Sequence, residues 1–508
     1  MKSLFVSLCF SLLQFDCFTQ QFTATVCDDC VSKGTVASSI KFGNAVYALN
    51  MVQKGISQEM KIDLVKTDEA GKKLLGESKN PVSIRMPLFY SLQEYDNNLY
   101  LLFQERDKNN NVLNLSASLI DTTTLSFAAP KAIGNMQSKG YSTSVDMSWP
   151  IRYALLFRKS PDKQRIAVVM TNEETAAECY MMMLDNKLNV LWERKETFNR
   201  QSNLMSVKDA SADNNGNIYL SYRFYESRKE TLPANTLSHL AIYNSTKKVA
   251  DYTLDMGNAY SNEFKLLTAA DNKSVHVMGY YYTDDKELLQ GVFYGKLNTE
   301  APKKPVMKTT PFPRPLVEQL DKDGWANTKE SKYGVQAVLV PKVFELANGS
   351  ANIIGEFRSY KTGERNNSFN FAGSIVNILF AEPGPVFSRI PKYRVSAGST
   401  AGDSYSAFPF RDKVIVFYNE KEENLKKDIT EGADNSNVYK NVVMAGAVID
   451  NNGKVSRQVV IDQQKENFLA LTNIIAKRGD DLFLVPMFKV KSAGGLTDDY
   501  KLGKVKVE

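Results

Sequence analysis

Histidine is scarce in this chain, and its scarcity restricts the chemistry that the side chains could perform. The sequence contains two histidines, His239 and His276, and each stands inside an apolar run typical of a strand. A catalytic triad requires a histidine between a nucleophile and a carboxylate, and neither histidine has such a pair beside it in the sequence. A phosphate-binding loop and a glycine-rich dinucleotide fingerprint are also missing from the sequence. We therefore expect both histidines to be ordinary strand residues.

Acidic side chains leave one enzymatic interpretation open. Glycosidases need only two Asp or Glu residues that face each other across a cleft. The chain has 57 acidic residues, so the sequence does not single out a pair, and most are expected to be solvated at the surface. The residues considered for such a pair are Asp146, Asp321, Asp323, Glu356 and Asp403.

Two short motifs resemble halves of metal sites. Cys27 and Cys30 are spaced as in a zinc knuckle, but the sequence has no second pair of this spacing, so we expect a disulfide between them in an oxidising compartment. Residues 211–216 place oxygen-bearing side chains at alternate positions before a glycine, like the first half of a calcium loop. A hairpin turn is the favoured interpretation, calcium near Asp213 is the alternative, and no other cofactor or metal is expected.

A weak repeat indicates the elements that would position these side chains. A short run rich in aromatic and β-branched residues, typical of a strand, recurs eight times. Several runs are followed by a second run and then a turn such as Asp450 to Gly453, in which Asn and Gly accept positive φ. The eight runs are 45–51, 98–104, 165–170, 217–224, 274–282, 352–357, 413–418 and 481–488.

The repeat predicts an all-β fold, a single β-propeller of about eight blades. One sheet of three or four strands cannot bury both of its faces alone, whereas sheets packed around an axis do so and leave only short edges. Seven blades is the other count considered, and tandem β-sandwiches are the rival architecture. The propeller is assigned to residues 41–508 and is preceded by an N-terminal segment, residues 21–40.

Three long insertions interrupt the repeat, at 136–150, 298–333 and 420–438. The second is rich in proline, and residues 315–332 within it are the best helix candidate of the chain, although Gly324 weakens it. Long loops of a propeller gather on its two flat faces and often carry function. These insertions are therefore the first places to look for a ligand.

We expect a ligand, where there is one, on the face that bears the proline-rich insertion. Pro313 and Pro315 stiffen the backbone around an arginine, which lowers the entropy lost when that side chain holds an anion. Two charged residues of one strand, two positions apart, project to the same side. A surface ion pair is the ordinary alternative for them. The candidate lining is Trp149, Arg314, Trp325, Glu356, Arg358 and Tyr405.

The N-terminus predicts export. Lys2 is followed by an apolar run at 4–13 and then by polar residues, as in a signal peptide, which we assign to residues 1–20. No run of 18 apolar residues follows, so no transmembrane segment is expected. The chain has 63 basic and 57 acidic residues without dense basic clusters, so a nucleic-acid partner is not expected.

Residues 343–424 resemble uncharacterised exported propeller-like proteins of the Bacteroidota. The motifs that carry the resemblance are the strand 352–357, the segment Ile390-Pro391-Lys392, the pair Ser404-Tyr405, and Asn419-Glu420 with the later Asn424. The resemblance implies a fold and an exported location, in the periplasm or at the outer-membrane or cell surface, and it implies no activity. We therefore expect a non-catalytic binding or scaffold protein of the cell envelope whose ligand is an unknown protein or glycan. The alternative is a carboxylate-dependent hydrolase acting on glycans or peptides.

Overall fold

Each of the eight repeated runs forms the second strand of its own sheet and is antiparallel to the strands beside it, so the repeat is confirmed. The sheets are called blades 1 to 8 in chain order. The computed structural model describes residues 22–508 apart from the segments 27–31, 34, 54–58, 69–73, 79–81, 86, 108, 138–154, 173–175, 202–204, 226–235, 284–287, 330–332, 337, 363–367, 398–403, 435, 438–441 and 491–495.

The first half of the chain forms blades 1 to 4. Two short strands come first, β1 (Phe22–Val26) and β2 (Ser32–Lys33). Blade 1 contains β3 (Thr35–Phe42), β4 (Ala45–Gln53), β5 (Glu59–Asp68), β6 (Leu74–Glu77) and β7 (Val82–Arg85). Blade 2 contains β8 (Pro87–Tyr95), β9 (Asn98–Asp107), β10 (Val112–Asp121), β11 (Ser126–Phe127) and β12 (Lys131–Gln137). Blade 3 contains β13 (Leu155–Lys159), β14 (Arg165–Asn172), β15 (Ala176–Asp185) and β16 (Val190–Gln201). Blade 4 contains β17 (Met205–Ala212), β18 (Ile218–Tyr225), β19 (Thr236–Tyr243) and β20 (Lys248–Thr253).

The second half forms blades 5 to 8. Blade 5 contains β21 (Ala259–Thr268), β22 (Ser274–Thr283), β23 (Gly291–Asn298) and β24 (Lys308–Pro311), and a two-stranded sheet, β25 (Ala326–Asn327) and β26 (Gly334–Val335), follows it. Blade 6 contains β27 (Val338–Glu345), β28 (Ala351–Thr362), β29 (Ser368–Phe380), β30 (Pro385–Ile390), β31 (Arg394–Ala397) and, later in the chain, β34 (Ser436–Asn437). Blade 7 contains β32 (Tyr405–Phe410), β33 (Lys413–Lys421), β35 (Val442–Ile449) and β36 (Val455–Ile461). Blade 8 contains β37 (Phe468–Ala470), β38 (Ala476–Lys477), β39 (Leu482–Val490) and β40 (Leu496–Val507), together with β1 and β2.

Buried hydrophobic clusters between successive blades close the sheets into a ring. One cluster joins blades 1 and 2, and others join each further pair up to blades 7 and 8. The ring closes where Val46 of blade 1 packs with Leu484 and Leu502 of blade 8. The fold is therefore the predicted all-β propeller, with eight blades rather than seven, and tandem sandwiches are not its architecture.

Strand β1 completes the last blade from the other end of the chain. It pairs antiparallel with β40, with Ala24 opposite Val505, and so supplies the outer strand of blade 8. Strand β3 is the first strand of blade 1. The sequence analysis assigned residues 21–40 to a separate N-terminal segment, whereas the structure places β1 and β3 within the propeller. The role of β1 has no local sequence signal, because its partner β40 lies at the other end of the chain.

The first strand of each blade lies nearest the axis, since β13, β17, β21, β27 and β32 contact one another in succession. Tight turns join the first strands to the second strands, and these turns lie together on one face of the ring, which we call the hairpin face. The turns are at 43–44, 96–97, 160–164, 213–217, 269–273, 346–350, 411–412 and 478–481.

Short helices occur in the insertions and before blade 8. The helix predicted at 315–332 is α1 (Arg314–Lys322), and it ends there because Gly324 adopts a φ of 78°. Its buried face, Leu316, Val317 and Leu320, packs between blades 5 and 6. The others are α2 (Glu422–Lys426) and α3 (Gln463–Glu466). In the described part of the chain, no helix combines the length and the apolar character needed to cross a membrane.

Candidate functional site

Three charged side chains meet in the interior between blades 6 and 7. Glu356 of β28 accepts a hydrogen bond from Arg358 Nε at 2.7 Å through one carboxylate oxygen and from Lys392 Nζ through the other. The side chains of Glu356 and Lys392 are both fully buried. We call these three residues the junction cluster.

The backbone of β28 explains why two of these side chains point the same way. The pairing of β28 with β29 shifts register between Glu356 and Arg358, and such a bulge re-aims the side chains around it. Burial lowers the pKa of Lys392, and the Glu356 carboxylate opposes this effect. A buried pair of this kind is costly to break, because removing one partner leaves the other charged and desolvated.

A second buried carboxylate links blade 7 to blade 6. Glu420 of β33 is fully buried and accepts hydrogen bonds from the backbone N–H of Tyr393 at 3.1 Å and from Asn424 Nδ2 at 3.0 Å. Burial raises the pKa of Glu420 above its usual range. Lys392, Glu420 and Asn424 all belong to the motifs that carry the resemblance, and the structure places them at this one blade junction.

Tyr405 connects the junction cluster with the axis of the ring. Its hydroxyl donates to the backbone carbonyl of Ile354 at 2.8 Å, and the residue is buried. Burial and the neighbouring Glu356 carboxylate hold the pKa of Tyr405 well above its usual value. Lys342 lies over the other side of the residue, with Nζ 5.2 Å from the ring centroid and 3.4 Å from the Tyr405 carbonyl oxygen.

The other predicted lining residues lie elsewhere. Trp325 is 4% exposed and stacks on Phe357, the core residue that follows Glu356 in β28. The Arg314 side chain is 81% exposed and pairs with Glu318 at 2.9 Å. Trp149 lies outside the described residues. The structure thus brings three of the six predicted residues together, and ligand binding by the set stays a prediction.

One of the candidate carboxylates anchors two insertions. Asp323 Oδ2 accepts hydrogen bonds from Ser374 Oγ at 2.5 Å and from Arg389 Nε at 3.1 Å. Arg389 also donates to the carbonyl oxygen of Ile429 at 2.8 Å. Residues of the insertions 298–333 and 420–438 therefore meet at one buried ion pair. The candidates Asp146 and Asp403 lie outside the described residues.

The two half motifs and the histidines have ordinary surroundings where they are described. The Asp213 carboxylate accepts hydrogen bonds from Asn217 N, Asn217 Nδ2 and Tyr219 OH at 2.6–2.9 Å, as the hairpin interpretation requires, and calcium there stays a prediction. His239 lies beside Asp251 at 3.1 Å, and His276 Nδ1 lies 2.7 Å from a tyrosine hydroxyl. Cys27 and Cys30 fall outside the described residues.

An open cavity of about 610 Å³ lies on the axis at the hairpin face, and the sequence analysis did not anticipate it. The first strands of blades 3 to 7 form its wall. We call it the axial cavity. Its lining is Arg158, Lys159, Pro161, Asp209, Ser211, Lys265, Leu266, Leu267, Thr268, Ala270, Pro341, Lys342, Val343, Phe344, Glu345 and Ala407.

Side chains tie the first strands to one another around this cavity. Asp209 of β17 pairs with Arg158 of β13 and accepts a hydrogen bond from the backbone N–H of Leu266 in β21 at 3.1 Å. Ser211 Oγ accepts from the backbone N–H of Thr268 at 3.0 Å. These contacts cross from blade to blade and hold the first strands of blades 3, 4 and 5 together.

Two lysines of the wall, Lys159 and Lys342, donate to backbone carbonyls of the adjoining blade. Lys159 Nζ donates to the Glu94 carbonyl oxygen at 3.1 Å and lies 4.5 Å from the ring centroid of Tyr95. Lys342 makes the contacts to Tyr405 given above. Burial lowers the pKa of both ammonium groups, and Glu94 and Glu356 respectively oppose that effect.

A second cavity of about 770 Å³ adjoins the first and shares Lys159 with it. Blades 1, 2, 3 and 8 form its wall, so that the two cavities together involve all eight blades. We call it the side cavity. Its lining is Ile40, Gly43, Gln93, Glu94, Tyr95, Asp96, Asn97, Lys159, Lys163, Gln164, Asn186, Lys477, Arg478 and Gly479.

The sequence did contain one signal for the axial cavity. Lys159, Lys265 and Lys342 each interrupt or end a short apolar run, at 155–159, 264–267 and 339–344. A lysine within an apolar strand is costly unless one side of that strand reaches solvent or a cavity. These runs were not recognised as strands because their lysines and prolines depart from the β-branched pattern of the second strands.

Comparison with known proteins gives fold relatives and no family. No family model matches the chain, and no curated protein matches it. Similar solved structures include the β-propeller domain of the Trilobed protease from Pyrococcus furiosus, at 9% identity and a TM-score of 0.36 over 85% of this chain and 97% of that one.

Of two further similar structures, one is an enzyme and the other has no known function. The polysaccharide lyase Uly1 is 11% identical, with a TM-score of 0.38 over 76% of this chain and 88% of that one. A protein of unknown function from Bacteroides caccae is 13% identical, with a TM-score of 0.27 over 60% of this chain and 81% of that one. Likeness at these identities concerns the fold alone.

Proposed function

We propose that this protein is a non-catalytic binding protein that takes its ligand in the axial cavity. The observation that carries the proposal is the open cavity of about 610 Å³ on the axis of the ring. Ligand sites in proteins are typically clefts of about 300–1,000 Å³ that combine apolar walls with a few placed polar groups. The wall here has that composition, with Leu266, Val343 and Phe344 beside charged and hydroxyl side chains.

The rigidity of the wall supports the same proposal. Hydrogen bonds between the first strands of blades 3, 4 and 5 hold the cavity lining in place. A site that is already ordered loses less conformational entropy on binding, so more of the contact energy contributes to affinity. The junction cluster adds a buried brace behind Lys342 on the blade 6 side.

We further propose that the protein acts in the cell envelope of a member of the Bacteroidota. The signal-like N-terminus and the resemblance over residues 343–424 support this location. Expression of the full chain in a Bacteroides host, fractionation and N-terminal sequencing test it. Recovery of the uncut chain from the cytoplasm would overturn it.

A cavity-filling variant tests the binding site. Ala270 lines the axial cavity and its side chain is exposed, so Ala270→Trp should fill the cavity without disturbing the core. Ala128→Trp, at an exposed position outside both cavities, is the matched control. The full chain is first screened on oligosaccharide and peptide arrays. A270W is expected to lose the hits at least tenfold and A128W to keep them; hits that A270W retains would refute the site.

The competing function, a carboxylate-dependent hydrolase, is tested with the same protein. The wild type is assayed with chromogenic glycosides and peptides, alongside Asp209→Asn and Glu345→Gln, the two carboxylates of the axial cavity. We expect no turnover above that of the blank. Turnover that either substitution abolishes would replace the binding proposal with the enzymatic one.

A further inference from the structure

The axial cavity is lined by lysine side chains whose positive charge is not balanced by neighbouring carboxylates. Lys159, Lys265 and Lys342 line it, and within the described residues none of their ammonium groups forms a salt bridge. The two carboxylates of the cavity are already engaged. Asp209 is held by Arg158 and a backbone N–H, and Glu345 Oε2 accepts from the backbone N–H of Ala270 at 2.5 Å.

These ammonium groups retain hydrogen-bonding capacity. An ammonium group has three N–H donors, and the contacts of Lys159 and Lys342 to carbonyl oxygens use one in each case. Burial already disfavours their charged form. A bound anion would offset that cost and would receive charge-assisted hydrogen bonds, which are stronger than neutral ones.

The positive charge continues into the side cavity. Seven Lys or Arg and four Asp or Glu side chains line the two cavities together. Lys159 lies at their boundary, and Lys163 and Lys477 stand beyond it. An elongated ligand with several negative charges therefore matches this surface better than one compact anion does.

The backbone of β21 argues against a peptide ligand. Peptides often bind by adding a strand to a free sheet edge, which needs unpaired N–H groups. On the axial edge of β21 and its following turn, the N–H groups of Leu266, Thr268 and Ala270 are capped by Asp209, Ser211 and Glu345. Side-chain amides of the side cavity, in contrast, suit the hydroxyl groups of a sugar.

We propose that the axial and side cavities together bind an acidic oligosaccharide, whose carboxylates contact Lys159, Lys265 and Lys342. This inference rests on the proposed binding function and names its ligand class. The contacts are charge-assisted, so the affinity falls as salt rises. Each lysine contributes separately, because the three belong to different blades.

Binding of defined oligosaccharides by the full chain tests the inference. Isothermal titration calorimetry compares a galacturonic acid tetramer, a neutral galactose tetramer and a tetraglutamate peptide at low and high sodium chloride. We expect the acidic sugar to bind at least tenfold more tightly than the neutral one, and this preference to shrink at high salt. Equal binding of the two sugars, no binding of the acidic sugar, or tighter binding of the peptide would overturn the inference.

Charge-removing variants identify the contacts. Lys159→Gln, Lys265→Gln and Lys342→Gln are each expected to weaken binding of the acidic tetramer by about tenfold, the size of one charged hydrogen bond. Lys426→Gln, at an exposed position of α2, is the control and should leave affinity unchanged. Because K159Q and K342Q also remove contacts to Glu94 and Tyr405, thermal unfolding is measured in parallel, and K265Q provides a test free of that complication. If all three variants bind the acidic tetramer with wild-type affinity, the proposed lysine contacts are refuted.

The outcome also separates this inference from the proposed function. If A270W abolishes binding of a neutral array hit while the acidic tetramer does not bind, the axial cavity is a ligand site and the acidic ligand is wrong. If the acidic tetramer binds and neither A270W nor K265Q weakens it, the ligand class survives, and its placement in the axial cavity is refuted together with the proposed site.

Discussion

Replacing one buried histidine should remove part of the acid sensitivity of the propeller. His276 in β22 is 1% exposed, and its Nδ1 lies 2.7 Å from the Tyr294 hydroxyl. Within the described residues its Nε2 has no hydrogen-bond partner. Burial, with a smaller contribution from Lys296, lowers the pKa of His276 from 6.5 to about 4. The perturbation is His276→Gln, which keeps a polar side chain near Tyr294 and cannot be protonated.

The sign and size of the effect follow from proton linkage. Because the pKa of His276 is depressed in the folded state, the unfolded chain binds the proton first as pH falls, and stability is lost between about pH 6.5 and pH 4. The difference of about 2.5 in pKa corresponds to about 3 kcal/mol of unfolding free energy, of which roughly 2–3 kcal/mol is lost by pH 4.5. H276Q has no histidine at this position, so it is not expected to lose this part of the unfolding free energy.

The assay is urea unfolding followed by circular dichroism at pH 7 and pH 4.5. Carboxylates titrate in both proteins, so the quantity of interest is how much more the wild type is destabilised than H276Q. His239→Gln is the matched control, since His239 is the other histidine and lies beside Asp251. H239Q keeps His276, so it is expected to lose as much unfolding free energy between pH 7 and pH 4.5 as the wild type does.

Two results would refute the reasoning. The first is an H276Q variant that loses as much unfolding free energy between pH 7 and pH 4.5 as the wild type does. The second is an H239Q variant that removes the acid loss while H276Q keeps it. Either result would mean that His276 is accessible to protons in the folded state or that its neighbours stabilise the charged ring.

Three further predictions concern the fold, and each is checked by urea or thermal unfolding. Glu356→Leu should lower the free energy of unfolding by about 3–5 kcal/mol, because it leaves Lys392 buried without its partner. Adding Lys392→Met removes that unpaired charge and should restore a measurable part of the loss. A coupling energy near zero in the double-mutant cycle would contradict this. Gly373→Ala should cost about 1–3 kcal/mol, because its Cβ would lie 2.1 Å from the Trp325 ring; a wild-type melting temperature would show that the ring moves freely. Ala24→Pro should lower the melting temperature by disrupting the strand that completes blade 8, and an unchanged melt would show that this strand is dispensable.

The sequence located the second strand of every blade, for a physical reason. Second strands such as β14 and β33 are buried on both faces between neighbouring blades, so they are almost wholly apolar or β-branched. That composition is a strong signal. The strands at the axis lie at the inner edge of each sheet, carry Lys and Pro, and give no comparable signal. The outer strand of blade 8 was missed because its partner is at the other end of the chain.

The candidate site was only partly accessible to sequence reasoning. Glu356 and Arg358 do lie together as predicted from alternation along a strand, but the strand is irregular there, and the bulge that re-aims their side chains has no signal in the sequence. Alternation could not show that Lys392 enters from the segment between β30 and β31 to complete a buried cluster. The placement of Trp325 depends on which face of β28 the turn after α1 packs against, and no pattern in the insertion specifies that packing.

The lysines of the axial cavity help to explain where function can reside in this fold. A desolvated ammonium group without a carboxylate partner lowers stability, and replacing it with an uncharged residue of similar volume would often raise stability. Lys342 nevertheless stands in a wall braced by Tyr405 and, behind it, by the junction cluster. Packing between the blades stabilises the fold. The first strands at the axis lie at the inner edges of the sheets, where charged side chains are tolerated. A charged residue at a braced and open position supports the proposal that an acidic ligand binds in the axial cavity.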